Sequence, residues 1–431
     1  MTTTAAPTAA APASALRRNR TFRLLWAGQA LSAFGSSMSG VALPLALLAA
    51  GHPVTAVAAI GTAVAAAGLA ARLPAGVVSD RFAERRLLIG CDLVRLAAIG
   101  ALAVYAGFGR LPLWPAFGAV VVSTCAVEVF KPTQGRLLRR VVPPEQIASA
   151  VSLNQARTYG ADIAGPAAAG LLTALRPELP FAVDAFTFLV SALCVAAAVP
   201  GRRGRAAATP EGPAREDAPA PQGTAARRSP GLWVRFTAGW RYLAADPFLR
   251  RATLYFCGLT VAFTATGTAL LLGVGSGHGG ARAAGWAIST AAVAGLAGSL
   301  AAPRIQRALP LNAVIAAGPT AAGVLLLASW LTGSTLLFVA GFSAMCLLVP
   351  VINAAVGTIM ATSVPEEVYG RVATANDFTV QLLQPCGPLV AGLLVSRSLP
   401  TGALGLGAAL AVLAVFALTL PSPAAHAPGR A

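Results

Sequence analysis

The side chains with the most chemistry open to them are ionisable groups set inside long apolar runs. Asp92, Glu128, Asp162, Asp184 and Asp377 are the acids, and Arg95 and Arg157 the bases. A charge at the centre of a bilayer costs at least about 2.5–3.5 kcal/mol on insertion scales, so such residues are paired or at work. A carboxyl group in a desolvated cavity holds a proton more readily than it does in water. Glu128 and Asp162 lie deep in their runs and are candidates for proton coupling, with pairing to Lys131 or Arg157 as the competing reading. Asp92 and Arg95 stand three apart on one helix face and are expected to pair with each other. Asp184, close to the end of its run, is expected to be solvated or to cap. Gln29, Asn154, Gln155 and Asn353 are amides in the same runs, and Phe263 and Trp286 are aromatics. They are candidate substrate contacts, although helix–helix hydrogen bonding explains the amides as readily.

Other chemistries find little support. Cys91, Cys125, Cys194, Cys257, Cys346 and Cys386 all lie in apolar runs without a CxxC pair, which reads as buried apolar filling rather than a disulfide framework or metal site. His52, His278 and His426 are too scattered to build a metal cluster. Gly275-Ser276-Gly277-His278-Gly279-Gly280 fits GxGxxG, but it follows an apolar helix and not a strand. A Walker A loop needs Gly-Lys, and the single lysine, Lys131, follows Phe130. No cofactor, metal, ATP or nucleic-acid partner is expected, and no enzymatic activity.

Positioning these groups falls to membrane helices. Hydrophobic residues make up 56% of the 431 and charged residues only 11%. Soluble domains are about 25% charged, so too little polar surface remains to cover a water-soluble globule. Apolar runs of about 20 residues recur twelve times. The expected spans are 23–49, 54–78, 87–108, 112–135, 148–174 and 180–200, then 248–272, 281–301, 311–332, 335–361, 371–397 and 400–420. Of the 32 basic residues, 24 fall on the side of the odd-numbered connections and four on the other. Positive charge marks the cytoplasmic side, so both termini are placed there. The bias to Arg over Lys and to Ala fits a GC-rich bacterial genome, and the membrane expected is a bacterial cytoplasmic one. The net charge of +17 is thus a topology signal rather than a nucleic-acid footprint.

Residues 1–16 carry no charge and read as a disordered tail. Residues 201–230, rich in Pro, Arg, Gly and Ala, read as a cytoplasmic linker between a first half, 17–200, and a second, 231–421, with a short tail at 422–431. The halves repeat. With an offset of 222, ten of the 31 positions in 142–172 match, among them Val142-Pro143-x-Glu145, Asn154 and Gly165-Pro166-x-x-Ala169-Gly170-Leu171-Leu172. Span five therefore corresponds to span eleven, in the same orientation. Two six-span halves related along the membrane normal are the plan of transporters that rock about a central site.

Several motifs occur in order: Asn19-Arg20-Thr21-Phe22-Arg23-Leu24-Leu25-Trp26-x-Gly28-Gln29, Gly76-x-x-x-Asp80-Arg81-x-x-x-Arg85-Arg86, Pro143-Pro144-Glu145-Gln146, Gly165-Pro166-x-x-x-Gly170, Asp246-Pro247 and Pro365-Glu366-Glu367-x-x-Gly370-Arg371-Val372. In these the chain, from Asn19 to Pro421, resembles the major facilitator superfamily, and within it the branch of enterobactin exporters and macrolide-efflux proteins. It departs from the loop signature at Ala83 and Glu84, and from the span-five signature at Ala169.

The resemblance implies an all-α integral membrane fold of twelve transmembrane helices in two pseudo-symmetric halves. It implies that Gly76, Asp80, Arg81, Arg85 and Arg86 latch the halves in one access state, with the start of span eleven near Asn376 and Asp377 as their partner. A plain topology signal is the alternative. The span-five motif Gly165-Pro166-x-x-x-Gly170 marks exporters in the family, although a packing kink accounts for it too. The function expected is export of small organic molecules, drug-, antibiotic- or siderophore-like, by proton antiport with alternating access. The partners would be substrate, protons and lipid, around a monomer. Import of a metabolite, or a non-transporting scaffold or receptor, are the alternatives.

Overall fold

Helix boundaries follow local chemistry. Asn19 caps the first helix, its Oδ1 accepting from the Phe22 amide at 3.0 Å. Asp246 accepts from the amides of Phe248 and Leu249, at 2.8 and 2.9 Å, with Pro247 in the first helical position. Pro53 and Pro112 hold extended backbone before their helices. Gly51, Gly109 and Gly333 take positive φ just past three helix ends, a conformation that costs any other residue.

The computed structural model describes residues 19–143, 146–199, 232–276, 280–309, 311–364 and 366–418. The tails 1–16 and 422–431, the linker 201–230 and residues 277–279 of the glycine-rich loop lie outside them. The first half comprises α1 (Arg20–Ala49), α2 (Val54–Arg81), α3 (Glu84–Gly107), α4 (Leu113–Val141), α5 (Ile147–Leu175) and α6 (Leu179–Ala198). The second comprises α7 (Leu232–Ala245), α8 (Pro247–Gly275), α9 (Gly280–Ala308), α10 (Leu311–Thr332), α11 (Thr335–Ser363), α12 (Glu366–Leu382), α13 (Cys386–Val395) and α14 (Leu399–Leu418).

Eleven helical segments are long and apolar enough to cross a membrane, counting α12 and α13 as one, Val372–Val395. The expected span not among them is α5. It has the length, 29 residues, but carries Arg157, Asp162 and several amides. Its place explains the polarity: α5 packs between α1 of its own half and α9 of the other, facing protein on both sides.

Two features differ from expectation. Span eleven was expected as one helix over 371–397, but it starts at Glu366 and breaks over Leu383–Pro385. Pro385 and Pro388 lack the amide donors a continuous helix needs. The extra helix α7 precedes span seven; its Trp240 indole donates to the Ala375 carbonyl of α12 at 3.2 Å.

The halves share one packing scheme. α1 lies on α5 and α6, α3 on α4 and α6, and α2 on α4; in the second half α8 lies on α13 and α14, α10 on α11 and α14, and α9 on α11. Between halves, α5 packs on α9 and α13 packs on α2, contacts related by the same pseudo-symmetry. Outward faces stay apolar, as at Trp114, Leu300, Leu336 and Leu418, which are exposed to the lipid that surrounds such a bundle.

Candidate functional site

Three features could take part in transport. The first is a cavity of about 320 Å³ between the halves. α1 contributes Ser37 and Val41, and α5 contributes Tyr159, Asp162 and Pro166; the second half contributes Phe263, Ile288, Phe342 and Cys346 among others. Among the described residues lining it, Asp162 is the one charged side chain, and Ser37 stands beside its carboxylate. The rings of Phe263 and Phe342 lie 5.4 Å apart. Ser299 of α9 donates to the Tyr159 hydroxyl at 2.9 Å, a polar tie across the halves at the cavity rim.

The second is a chamber of about 430 Å³ inside the first half. One polar end carries Arg95 and Asp184, the other Glu128 and Lys131, and the walls between are apolar. Glu128 is matched on both oxygens: Arg72 Nε meets Oε2 at 3.0 Å and Lys131 Nζ meets Oε1 at 3.0 Å. Arg72 also donates to Gln381 of α12, whose amide in turn donates to Asp377. A polar chain thus runs from the first-half chamber across to the second half. Asp184, expected to be solvated or to cap, is 1% exposed, because Gly35 of α1 passes directly over it.

The third is a pair of seams on the face opposite the linker, built from the repeated Gly-Pro motif. A Cβ added to Gly170 would stand 2.6 Å from the Ala281 carbonyl oxygen of α9. One added to Gly285 would run into the Pro166 carbonyl oxygen and lie 3.0 Å from the Gly170 Cα. Only glycine fits such an approach. The copy in the second half does the same against α2: Gly392 abuts Ala58, and Gly61 faces Pro388. Gly165 packs on Ser37 and Met38 of α1.

The remaining candidates scatter. Gln29 is buried and accepts from Gln134 and, at 2.6 Å, from Arg157, so Arg157 is engaged there and not by Asp162. Asn154 lines a small void beside Trp26 and Gln29. Gln155 and Asn353 are exposed, Asn353 one turn beyond the cavity-lining Val349. Trp286 does not line the cavity. It is 60% exposed and shares an outward stripe with Val293 and Leu300, nearly opposite Ile288, which points inward. The helical period puts 286 and 288 on opposite faces, which a list of aromatics in spans does not show.

The loop residues Gly76, Arg81, Arg85 and Arg86 lie at the α2–α3 connection. Arg85 donates to the Ala196 carbonyl at 3.3 Å, Arg140 meets Glu84 at 2.8 Å, and Arg136 donates to the Ser79 carbonyl; all of these stay within the first half. The Asp80 side chain is outside the described set. Sequence reasoning missed Arg72 and Gln381 as a cross-half pair. Their signal was a lone arginine in span two facing the chemistry of Glu128.

The family model that matches is the Major Facilitator Superfamily, over residues 25–383. The chain belongs to the Major Facilitator Superfamily. Among characterised proteins it is similar to macrolide efflux protein A of Streptococcus pyogenes, 25% identical over 183 residues, which is 41% of this chain and 44% of that protein. Macrolide efflux protein A of Enterococcus faecalis is 28% identical over 97 residues, 22% of this chain and 30% of that one. The chain therefore aligns with less than half the length of these relatives. Similar solved structures are the nucleoside transporter NupG (TM-score 0.70, 12% identity, 93% of this chain and 99% of that one) and a bacterial homologue of the iron transporter ferroportin in an inward-facing state (0.69, 14%, 94% and 99%). A D-xylose-proton symporter shares the fold at TM-score 0.63 and 10% identity, over 94% of this chain and 98% of that one. The protein is a multi-pass membrane transporter of this superfamily.

Proposed function

We propose that this transporter exports small amphipathic organic molecules from the bacterial cytoplasm by proton antiport. The observation that carries the reading is the cavity between the halves, with aromatic and aliphatic walls and one carboxylate, Asp162. Such a site takes a molecule with an apolar body and a cationic or hydrogen-bond-donating group. In an apolar wall Asp162 exchanges that group for a proton, so substrate and proton occupy it in turn. Glu128, matched by Arg72 and Lys131, acts as a structural pair instead.

Alternating access then follows from the seams. With α5 closed on α9 and α13 on α2, the halves are shut on the face opposite the linker, which is the outer side by the arginine bias. On the linker side the Arg72–Gln381 tie joins the halves, so rocking one way breaks that tie to open the cavity inward and rocking the other way parts the seams to open it outward. The direction of transport draws on the macrolide efflux relatives and on the span-five motif.

The test is drug and dye susceptibility in an efflux-deficient bacterial host, with macrolides in the panel. Wild type should confer resistance, and Asp162→Asn should lose it at equal membrane abundance. Uptake of a labelled metabolite by expressing cells, without resistance to any compound, would turn the reading to import. Labelling at both cavity mouths that ignores pH and substrate would turn it to a scaffold.

A further inference from the structure

The first half buries two carboxylates against one guanidinium, and the transport reading uses none of the three. Asp92 is 0% exposed, Asp184 1% and Arg95 5%. Arg95 sits near the middle of α3. Its Nη1 is 3.9 Å from Asp92 Oδ1, its Nη2 donates to Ser36 at 2.7 Å, and its guanidinium lies 3.9 Å above the Phe188 ring. Asp184, on α6, faces the same guanidinium and takes Thr187 and Ser39 as its hydroxyl neighbours.

The charges do not balance. No donor reaches hydrogen-bonding geometry with either oxygen of Asp92, although the Ser191 hydroxyl stands beside it. The other groups facing the cluster are the Cys91 thiol on α3 and the serines of α1. At the far end of the chamber Glu128 and Lys131 of α4 meet Arg72 of α2, a set with one surplus positive charge, but the Arg72 and Lys131 side chains are 37% and 59% exposed, so solvent screens that surplus from the cluster. Within the buried cluster itself, two carboxylates and one guanidinium leave one net negative charge, and burial without local compensation is strongly unfavourable.

A cation must cancel it. Arg95 occupies the space between the carboxylates and repels a metal ion, and among the described residues no group of His, Cys, Asp and Glu is arranged to hold one. A proton fits, since it needs no added volume and converts one carboxylate into a hydrogen-bond donor. Arg95 and Asp184 line the 430 Å³ chamber, so water there can deliver it. We propose that the Asp92–Arg95–Asp184 cluster binds one proton, shared between its two carboxylates, at a site separate from Asp162. Its part in coupling rests on the proton-driven reading above; its occupancy does not.

Infrared difference spectroscopy of the full chain in lipid nanodiscs tests this by following the protonated-carboxyl band through a pH rise from neutral. Asp162→Asn and Glu128→Gln should keep the band. In the Asp162→Asn/Glu128→Gln background, where Asp162 adds no band of its own, Asp92→Asn and Asp184→Asn should each lose it, because either leaves one acid matched to Arg95 and removes the need for a proton. If those two fail to fold, the Asp162→Asn/Glu128→Gln double variant decides alone: no band there overturns the site. A band that survives both cluster variants in that background overturns it as well. Replacing sodium by choline should change nothing; a band that appears only on sodium removal would assign the site to sodium. No drug resistance with the band present would defeat the export reading and leave this site standing. Wild-type resistance with no band in the Asp162→Asn/Glu128→Gln background would do the reverse.

Discussion

Glu128 and Asp162 read alike in the sequence, as single acids deep in apolar runs, yet their surroundings separate them. Glu128 has a cation at 3.0 Å on each oxygen, while Asp162 faces an apolar cavity with a serine beside it. Asp162→Asn is expected to abolish resistance, and Asp162→Glu to restore part of it. Glu128→Gln is expected to keep at least about half of the resistance, since it loses ion pairs of the partly exposed kind worth about 1 kcal/mol or less each. Minimum inhibitory concentrations at matched membrane abundance check both. The sequence placed both acids in spans but gave no cross-helix distances. The partner of Glu128 in α2 is 56 residues away, beyond any spacing rule. The same blindness let Trp286 pass as a cavity residue and Asp184 as a solvated one.

At the scale of elements, helix positions were legible because apolar runs of about 20 residues leave little room for error. What escaped was the behaviour of α12, α13 and α7. The repeat aligned span eleven with span five, but Pro385 falls opposite Ile163, so the copy breaks where the original stays straight. Pro385→Ala should lengthen α12 toward Pro388, which keeps a kink there, since proline costs a helix interior about 3 kcal/mol relative to alanine. A higher unfolding temperature with slower transport is expected, read by a thermal-shift assay and dye efflux. The Gly-Pro repeat was visible as a motif, and its purpose lies in the seams. Gly285→Leu should hold α9 off α5. Overpacking of this kind costs about 1–3 kcal/mol, which would move the state balance by roughly 5- to 150-fold. Faster labelling of a cysteine placed near Arg282 would report the opened seam, and unchanged labelling would count against it.

At the scale of the whole molecule, the two-half plan was readable from the repeat and the arginine bias, because both are one-dimensional signals. The state in which the halves stand was not, since it depends on which faces meet. Reporter fusions at either terminus and within 201–230 should all lie on the cytoplasmic side, and an external fusion at the linker would reverse the assignment of faces. Gln381→Ala removes the described cross-half partner of Arg72. In a chain with its six native cysteines replaced, a single cysteine at Asn353 should then be labelled faster from the linker side. The two closures differ in kind. One is glycine backbone on backbone, held by short-range dispersion that salt and pH barely touch. The other is a chain of amide, guanidinium and carboxylate in reach of water, and so of the ions dissolved in it. Only one of the two cross-half contacts is thus exposed to the ionic composition of its surroundings, and on the proposed orientation a shift in internal salt should retime the inner door while leaving the outer one as it was.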